Sequence, residues 1–146
     1  MSKSNAWEEG LQKLTFNNTT FATVGDATGI VGSTADGNLY VSLHTADPGE
    51  AGTQATSETT YTDYARVAVV RTSSGWTVSV GAVSNAAAVS FPACGATGAT
   101  LTYFGVGTGS SGAGVLLYSG ALTASLIVSS GITPAFAIGE LDVTED

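Results

Sequence analysis

The sequence is short of charge, and much of what it excludes follows from that. Only 11% of its 146 residues are Asp, Glu, Lys or Arg, roughly half the usual share. Bases are scarcest: Lys3, Lys13, Arg66 and Arg71 form no cluster, and against twelve acids they leave a formal charge of −8. Such a chain repels phosphate backbones and anionic lipid heads, so neither nucleic acid nor a membrane is expected as a direct partner. Cysteine occurs once, at Cys94, which rules out an internal disulfide. With no base beside it in Phe91-Pro92-Ala93-Cys94-Gly95, the thiol is expected to be packed and inert. No apolar run approaches the roughly 18 residues that cross a bilayer, because Gly, Ser and Thr interrupt each one. The N-terminus also lacks the apolar stretch of a secretory signal, which implies synthesis and assembly inside a cell.

The ingredients of catalysis are equally sparse. One histidine, His44, permits at most one Ser-His-acid arrangement, and no Gly-x-Ser-x-Gly turn between a strand and a helix presents a serine to it. A metal site on His44 would draw on Asp47 and Glu50, but three or four ligands at suitable spacing cannot be identified, and the spaced acids of an EF-hand loop are missing. Gly105-Val106-Gly107-Thr108-Gly109 has neither the helix nor the lysine that would make it a phosphate cradle. No catalytic residue, metal or cofactor is expected, and His44 reads as a surface or hydrogen-bonded side chain.

What the chain does contain is Gly, Ala, Ser, Thr and Val in a strand-and-turn pattern. Leu39, Val41 and Leu43 alternate with Tyr40, Ser42 and His44, the period-two signature of a half-buried strand. Further strands are expected at 65–71, 76–80, 88–91, 100–106, 115–119, 125–129 and 141–143, separated by glycine-rich turns. The fold class is therefore all-β: an antiparallel β-sandwich, jelly-roll or immunoglobulin-like, of about eight strands. One helix is expected over 5–14, capped by Asn5 with Glu8 three positions on, and with Trp7, Leu11 and Leu14 on one face. Residues 1–37 then form a helix and connecting arm, and 38–146 a β body, within a single domain. Val115-Leu116-Leu117 and Leu126-Ile127-Val128 do not alternate, so both segments are expected to be covered on two faces. Trp76 belongs in the core.

Interface candidates are Trp7, Leu11 and Leu14 on the helix, which is too short to stand alone, together with Tyr61, Tyr64 and Arg66. Asp47, Glu50, Glu58 and Asp63 share the 47–63 loop, where they are expected to be solvated or to hydrogen-bond a receptor sugar alongside the tyrosines. The remaining acids gather toward the two ends, including Glu140, Asp142, Glu145 and Asp146.

The stretch Leu39-Tyr40-Val41-Ser42-Leu43-His44-Thr45-Ala46-Asp47-Pro48-Gly49-Glu50-Ala51-Gly52, followed by Glu58, Tyr61 and Tyr64-Ala65-Arg66-Val67-Ala68-Val69, resembles a family of small structural proteins of tailed bacteriophages. Phe91-Pro92-Ala93-Cys94, Phe104-Gly105-Val106-Gly107-Thr108, Leu117-Tyr118-Ser119-Gly120 and Thr144-Glu145-Asp146 extend the likeness over nearly the whole chain. Members are commonly labelled tail-fibre proteins. The resemblance implies a virion component without enzyme activity, assembled in the bacterial cytoplasm and joined to other phage structural proteins. Internal repeats, heptads and collagen-like triplets are missing, which disfavours a fibrous shaft. Low charge and a docking helix favour a homo-oligomeric capsid decoration or cement protein, bound between capsomers of the major capsid protein. The alternative is a tail-fibre or tail-tip component that touches tail proteins and a host receptor through the 47–63 loop.

Overall fold

The computed structural model describes residues 2–144; Glu145 and Asp146, two of the terminal acids, lie outside the described residues. One helix, α1 (Asn5–Asn17), precedes nine strands among the described residues: β1 (Asn38–His44), β2 (Val67–Val70), β3 (Trp76–Ser79), β4 (Ala82–Asn85), β5 (Val89–Ser90), β6 (Ala99–Gly107), β7 (Leu116–Val128), β8 (Ala135–Phe136) and β9 (Asp142–Thr144). The all-β, antiparallel, sandwich-like class is as expected. Contacts divide the chain into two compact units, one from Met1–Asn38, Val69–Ala88 and Phe136–Asp146, the other from Leu39–Ala68 and Val89–Ala135.

In the first unit, α1 is capped one residue earlier than expected. Ser4, not Asn5, is the N-cap, its Oγ accepting from the Trp7 N–H, because Ser4 keeps the extended backbone that a cap requires. At the other end Asn18 turns left-handed (φ 53°) and returns its N–H to the Lys13 carbonyl. Arg71 donates to the Leu14 and Thr15 carbonyls at 2.8 and 2.7 Å, placing a cation on groups that the last helical turn leaves unpaired. The buried side of the helix is carried by Gln12 and Phe16. Phe16 meets Trp76 edge to face at 5.0 Å, and Trp76, fully buried as expected, opens a three-stranded antiparallel sheet of order β3-β4-β9. Leu141, Val83 and Val143 complete this core. Asn85 ties its rim, donating to the Ala87 and Ala137 carbonyls and accepting from the Leu141 N–H.

A four-stranded sheet of order β2-β1-β6-β7 dominates the second unit, beside the two-stranded β5-β8 pair. β1 pairs antiparallel with β6, Ser42 facing Gly105 and Leu43 facing Phe104. Leu39, Val41, Leu43, Leu101 and Val106 are buried. β4 and β8 were not legible as strands, because Ala82–Asn85 and Ala135–Phe136 are short and built largely of small residues, and pairing with distant partners makes them strands. The segments 115–119 and 125–129 are not separate strands but lie largely within the thirteen-residue β7. The chain itself leaves Val115, Leu117, Leu126 and Ile127 59%, 36%, 38% and 74% exposed, so the cover expected over these apolar residues is not supplied from within it.

Candidate functional site

β1 is central in its sheet and buries both of its faces, which its alternating sequence did not announce. Ser42 and His44, on the side read as polar, are each 0% exposed. Residues 57–59 pair antiparallel beside the end of β1, with His44 opposite Glu58: the Thr45 N–H donates to the Ser57 carbonyl and the Thr59 N–H to the Leu43 carbonyl, both at 2.9 Å. His44 Nδ1 lies 2.9 Å from the Thr56 carbonyl and Nε2 lies 2.9 Å from Ser42 Oγ. A carbonyl only accepts, so Nδ1 carries the proton and Nε2 accepts from the serine. His44 is thus hydrogen-bonded rather than at the surface.

Burial holds the His44 pKa below its ordinary value, only partly offset by the Thr56 carbonyl and the Glu58 charge. The unfolded imidazole titrates near 6.5, so below that pH the unfolded chain binds more protons than the folded one. The stability contribution is complete above about pH 6.5 and is lost as pH falls toward the folded value. Urea midpoints should therefore drop as the pH falls below about 6.5, and the drop should shrink in His44→Gln. An unchanged slope in that variant would assign the effect to other groups.

Next to this pair lies a buried ion pair. Arg66 Nε and Nη2 donate to the two Glu58 carboxylate oxygens, each at 2.7 Å, with the Arg66 side chain 2% exposed and that of Glu58 16%. The expectation that Glu58 is solvated in its loop is therefore corrected. Tyr64 donates its hydroxyl to Glu58 at 2.8 Å while accepting from the Leu43 N–H. Burial, with the Glu58 charge adding to it, pushes the phenol pKa up against the Leu43 bond, so Tyr64 remains a donor. The Glu58 hydrogen bonds raise the Arg66 pKa. Arg66 also reaches the Gly109 and Gly112 carbonyls at 2.8 and 2.6 Å. Gln54, 0% exposed, accepts from the Gly109 N–H and donates to the Tyr40 carbonyl. One guanidinium and one amide thereby hold the glycine-rich 107–114 turn.

This packing has little slack. A Cβ at Gly105 would come within 2.7 Å of both His44 Nε2 and Ser42 Oγ. Gly105→Ala should cost about 1 to 3 kcal/mol, the range for overpacking, and this is measurable by chemical denaturation. A neutral result would mean that the Ser42–His44 pair shifts freely.

The other candidates fall into two groups. Tyr61 is 2% exposed, donates to the Pro92 carbonyl and packs edge to face on Tyr64 at 5.2 Å, so it joins the cluster of Tyr64, Glu58 and Arg66. Cys94 is buried with its thiol toward the Gly95 and Thr97 carbonyls. Trp7 stays 40% exposed and leans on Phe21 at 5.3 Å, while Leu11 and Leu14 are half-buried. Asp47, Glu50 and Asp63 are exposed. Asp63 adopts a left-handed φ of 73° and borders a hollow of about 490 Å³ shared with Glu58 and Arg66.

Asp47 and Glu50 border a larger open groove of about 690 Å³, whose other walls are Tyr103 and residues 116–121 of β7. Sequence reading missed Ser42, Gln54, Tyr103 and Tyr118 as site residues. Gln54 sits in an unremarkable Gly-Thr-Gln-Ala-Thr run, and both tyrosines read as ordinary strand residues.

Residues 2–144 match the family model Gp80, described as "Podophage GP4 fiber I protein gp80". The chain belongs to the Gp80 family. This makes it a phage structural protein of the fibre-like kind, one that associates with other structural proteins of the virion. No curated protein matches the chain. Among the described residues, no helix of this Gp80-family chain is long and apolar enough to cross a membrane.

Proposed function

We propose that the chain is a tail-fibre component that acts by contact with neighbouring virion proteins and performs no bond-breaking chemistry. The observation that carries this reading is the match of residues 2–144 to a family described by a fibre protein. The fibre role is preferred on that ground to capsid decoration. The geometry supports a non-enzymatic role, since the single histidine and its serine partner are both sealed from solvent and most candidate polar groups are spent on tying loops together. A homo-oligomeric state is part of the proposal. Ile127, 74% exposed, is the surface most in need of cover.

Direct contact with a host receptor is a second reading, favoured by the exposure of Asp47, Glu50 and Asp63 within one loop. Immunogold labelling of purified particles tests the placement. Gold on tails is expected; gold spread over heads would restore the decoration role. Charge-neutralised Asp47, Glu50 and Asp63 should slow adsorption if the loop meets a receptor, and unchanged adsorption removes that second reading.

A further inference from the structure

The groove beside Asp47 and Glu50 lies over one face of the four-stranded sheet, and strand register identifies its floor. Tyr103 stands opposite His44 on β1 and Ala121 on β7, while Gly105 stands opposite Ser42 and Ser119. Residues directly opposite share a face, so Tyr103, Ser119 and Ala121 continue the face that carries Ser42 and His44. Over Ser42 and His44 that face is buried. Toward β7 it is open, because Ser119, Gly120 and Ala121 are too small to fill it, and a space of about 690 Å³ remains between Tyr103, β7 and the 47–50 turn. That volume is within the range of small-molecule sites.

Much of the polar chemistry around this space is uncommitted. Asp47 Oδ1 accepts from the Gly49 N–H at 2.8 Å, which steadies the turn and leaves the other carboxylate oxygen open. Glu50 is exposed and makes no hydrogen bond or ion pair among the described residues, and the same holds for the side-chain hydroxyls of Tyr103 and Ser119. The tyrosines that the sequence offered for a sugar are differently placed. The Tyr61 hydroxyl is held by the Pro92 carbonyl and that of Tyr64 by Glu58, whereas half-buried Tyr103 lines open space.

These groups select the occupant by what they lack. Two ionised carboxylates can only accept, so the ligand must bring donors. A simple cation would suit the acids but offers no acceptor to the phenol and serine hydroxyls, and two carboxylates fall short of the six to eight oxygens that calcium takes. A saccharide answers every group at once. Its hydroxyls donate to Asp47 and Glu50, exchange hydrogen bonds with Tyr103 and Ser119, and leave its C–H face to rest on the Tyr103 ring and Leu116. The acids, on a chain of formal charge −8, repel saccharides that carry carboxylate or phosphate.

We propose that the groove between the 47–50 turn and β7 binds a neutral or amine-bearing saccharide, with Asp47 and Glu50 accepting from its hydroxyls and Tyr103 and Ser119 completing the contact from the sheet. The inference rests on the second reading above, contact with a host receptor, and gives that receptor a chemical class: a surface glycan free of acidic groups.

The test applies the purified chain to a microarray of bacterial surface polysaccharides and titrates the oligosaccharide of the strongest spot by isothermal calorimetry. Binding to a neutral or amine-bearing glycan is expected. Its affinity should fall at least about tenfold in Asp47→Asn/Glu50→Gln, as expected for hydrogen bonds to charged acceptors, and comparably in Tyr103→Ala. Circular dichroism checks both variants; should Tyr103→Ala unfold, the double variant, changed only at exposed positions, decides the matter. Spermidine, which has no acceptor when protonated, should bind more weakly than the glycan. No spot above background, a preference for acidic glycans, undiminished affinity in the double variant, or tighter binding of spermidine would each overturn the proposal. Adsorption separates this inference from the reading beneath it. Slowed adsorption of the charge-neutralised loop without glycan binding would keep the receptor and reject the saccharide, whereas glycan binding with unchanged adsorption would keep the groove and reject the receptor role.

Discussion

Arg66→Ala should destabilise the protein by about 3 to 5 kcal/mol, the cost of stranding one partner of a buried ion pair. The Glu58 carboxylate would keep only the Tyr64 hydroxyl, and the Gly109 and Gly112 carbonyls would lose their shared donor. The damage should extend beyond the pair. Amide exchange should quicken at Gly109, whose N–H is bonded to Gln54, because the 107–114 turn loses its second anchor. Replacing both charges, as in Arg66→Met with Glu58→Leu, should recover much of the loss, since a well-packed apolar pair often matches a buried ionic one. A single-variant loss below about 1 kcal/mol would show that water reaches the site and screens it.

Trp76→Ala should cost a similar amount, about 3 to 5 kcal/mol, the range for truncating a large buried aromatic ring. Trp76 is 0% exposed and meets Phe16, which α1 buries most deeply together with Gln12. A thirteen-residue helix is marginal in isolation, so removing the indole should also reduce the helical circular dichroism signal before global unfolding. Trp76→Phe is a sharper control. The indole Nε1 is buried without a hydrogen-bond partner, so deleting that N–H removes an unsatisfied group and offsets part of the lost ring volume. A loss below about 1 kcal/mol in the alanine variant would move Trp76 out of the core.

Several features were readable from the residues because they depend on near neighbours. The alternation of Leu39, Val41 and Leu43, the turns rich in glycine, and the helix near Trp7 all follow from local backbone preference and from which side chains share a face. Even there the detail moved: Ser4 took the cap from Asn5, and β7 absorbed two expected strands. The site was less legible. Tyr61, Tyr64 and Arg66 read as interface candidates and Glu58 as a separate loop acid, whereas the fold gathers Tyr64 and Arg66 on the Glu58 carboxylate and packs Tyr61 on Tyr64. Gln54 carried no signal at all, since an amide in a small-residue run looks the same whether it is solvated or clamps a turn 55 residues away.

By itself the sequence determined an antiparallel β chain, sparse in ions, with one packed tryptophan and a phage structural ancestry visible along its length. Tertiary structure decided which faces were covered and which edge was left open. Period two shows that Ser42 and His44 point together, but their burial draws on residues distant in sequence, the Thr56 carbonyl on His44 and the close approach of Gly105 to both. The ion pair likewise needed carbonyls 43 and 46 positions from Arg66. Local patterning sorts side chains onto faces, whereas burial depends on which distant segment arrives to cover each face, and that is settled only when the chain closes on itself.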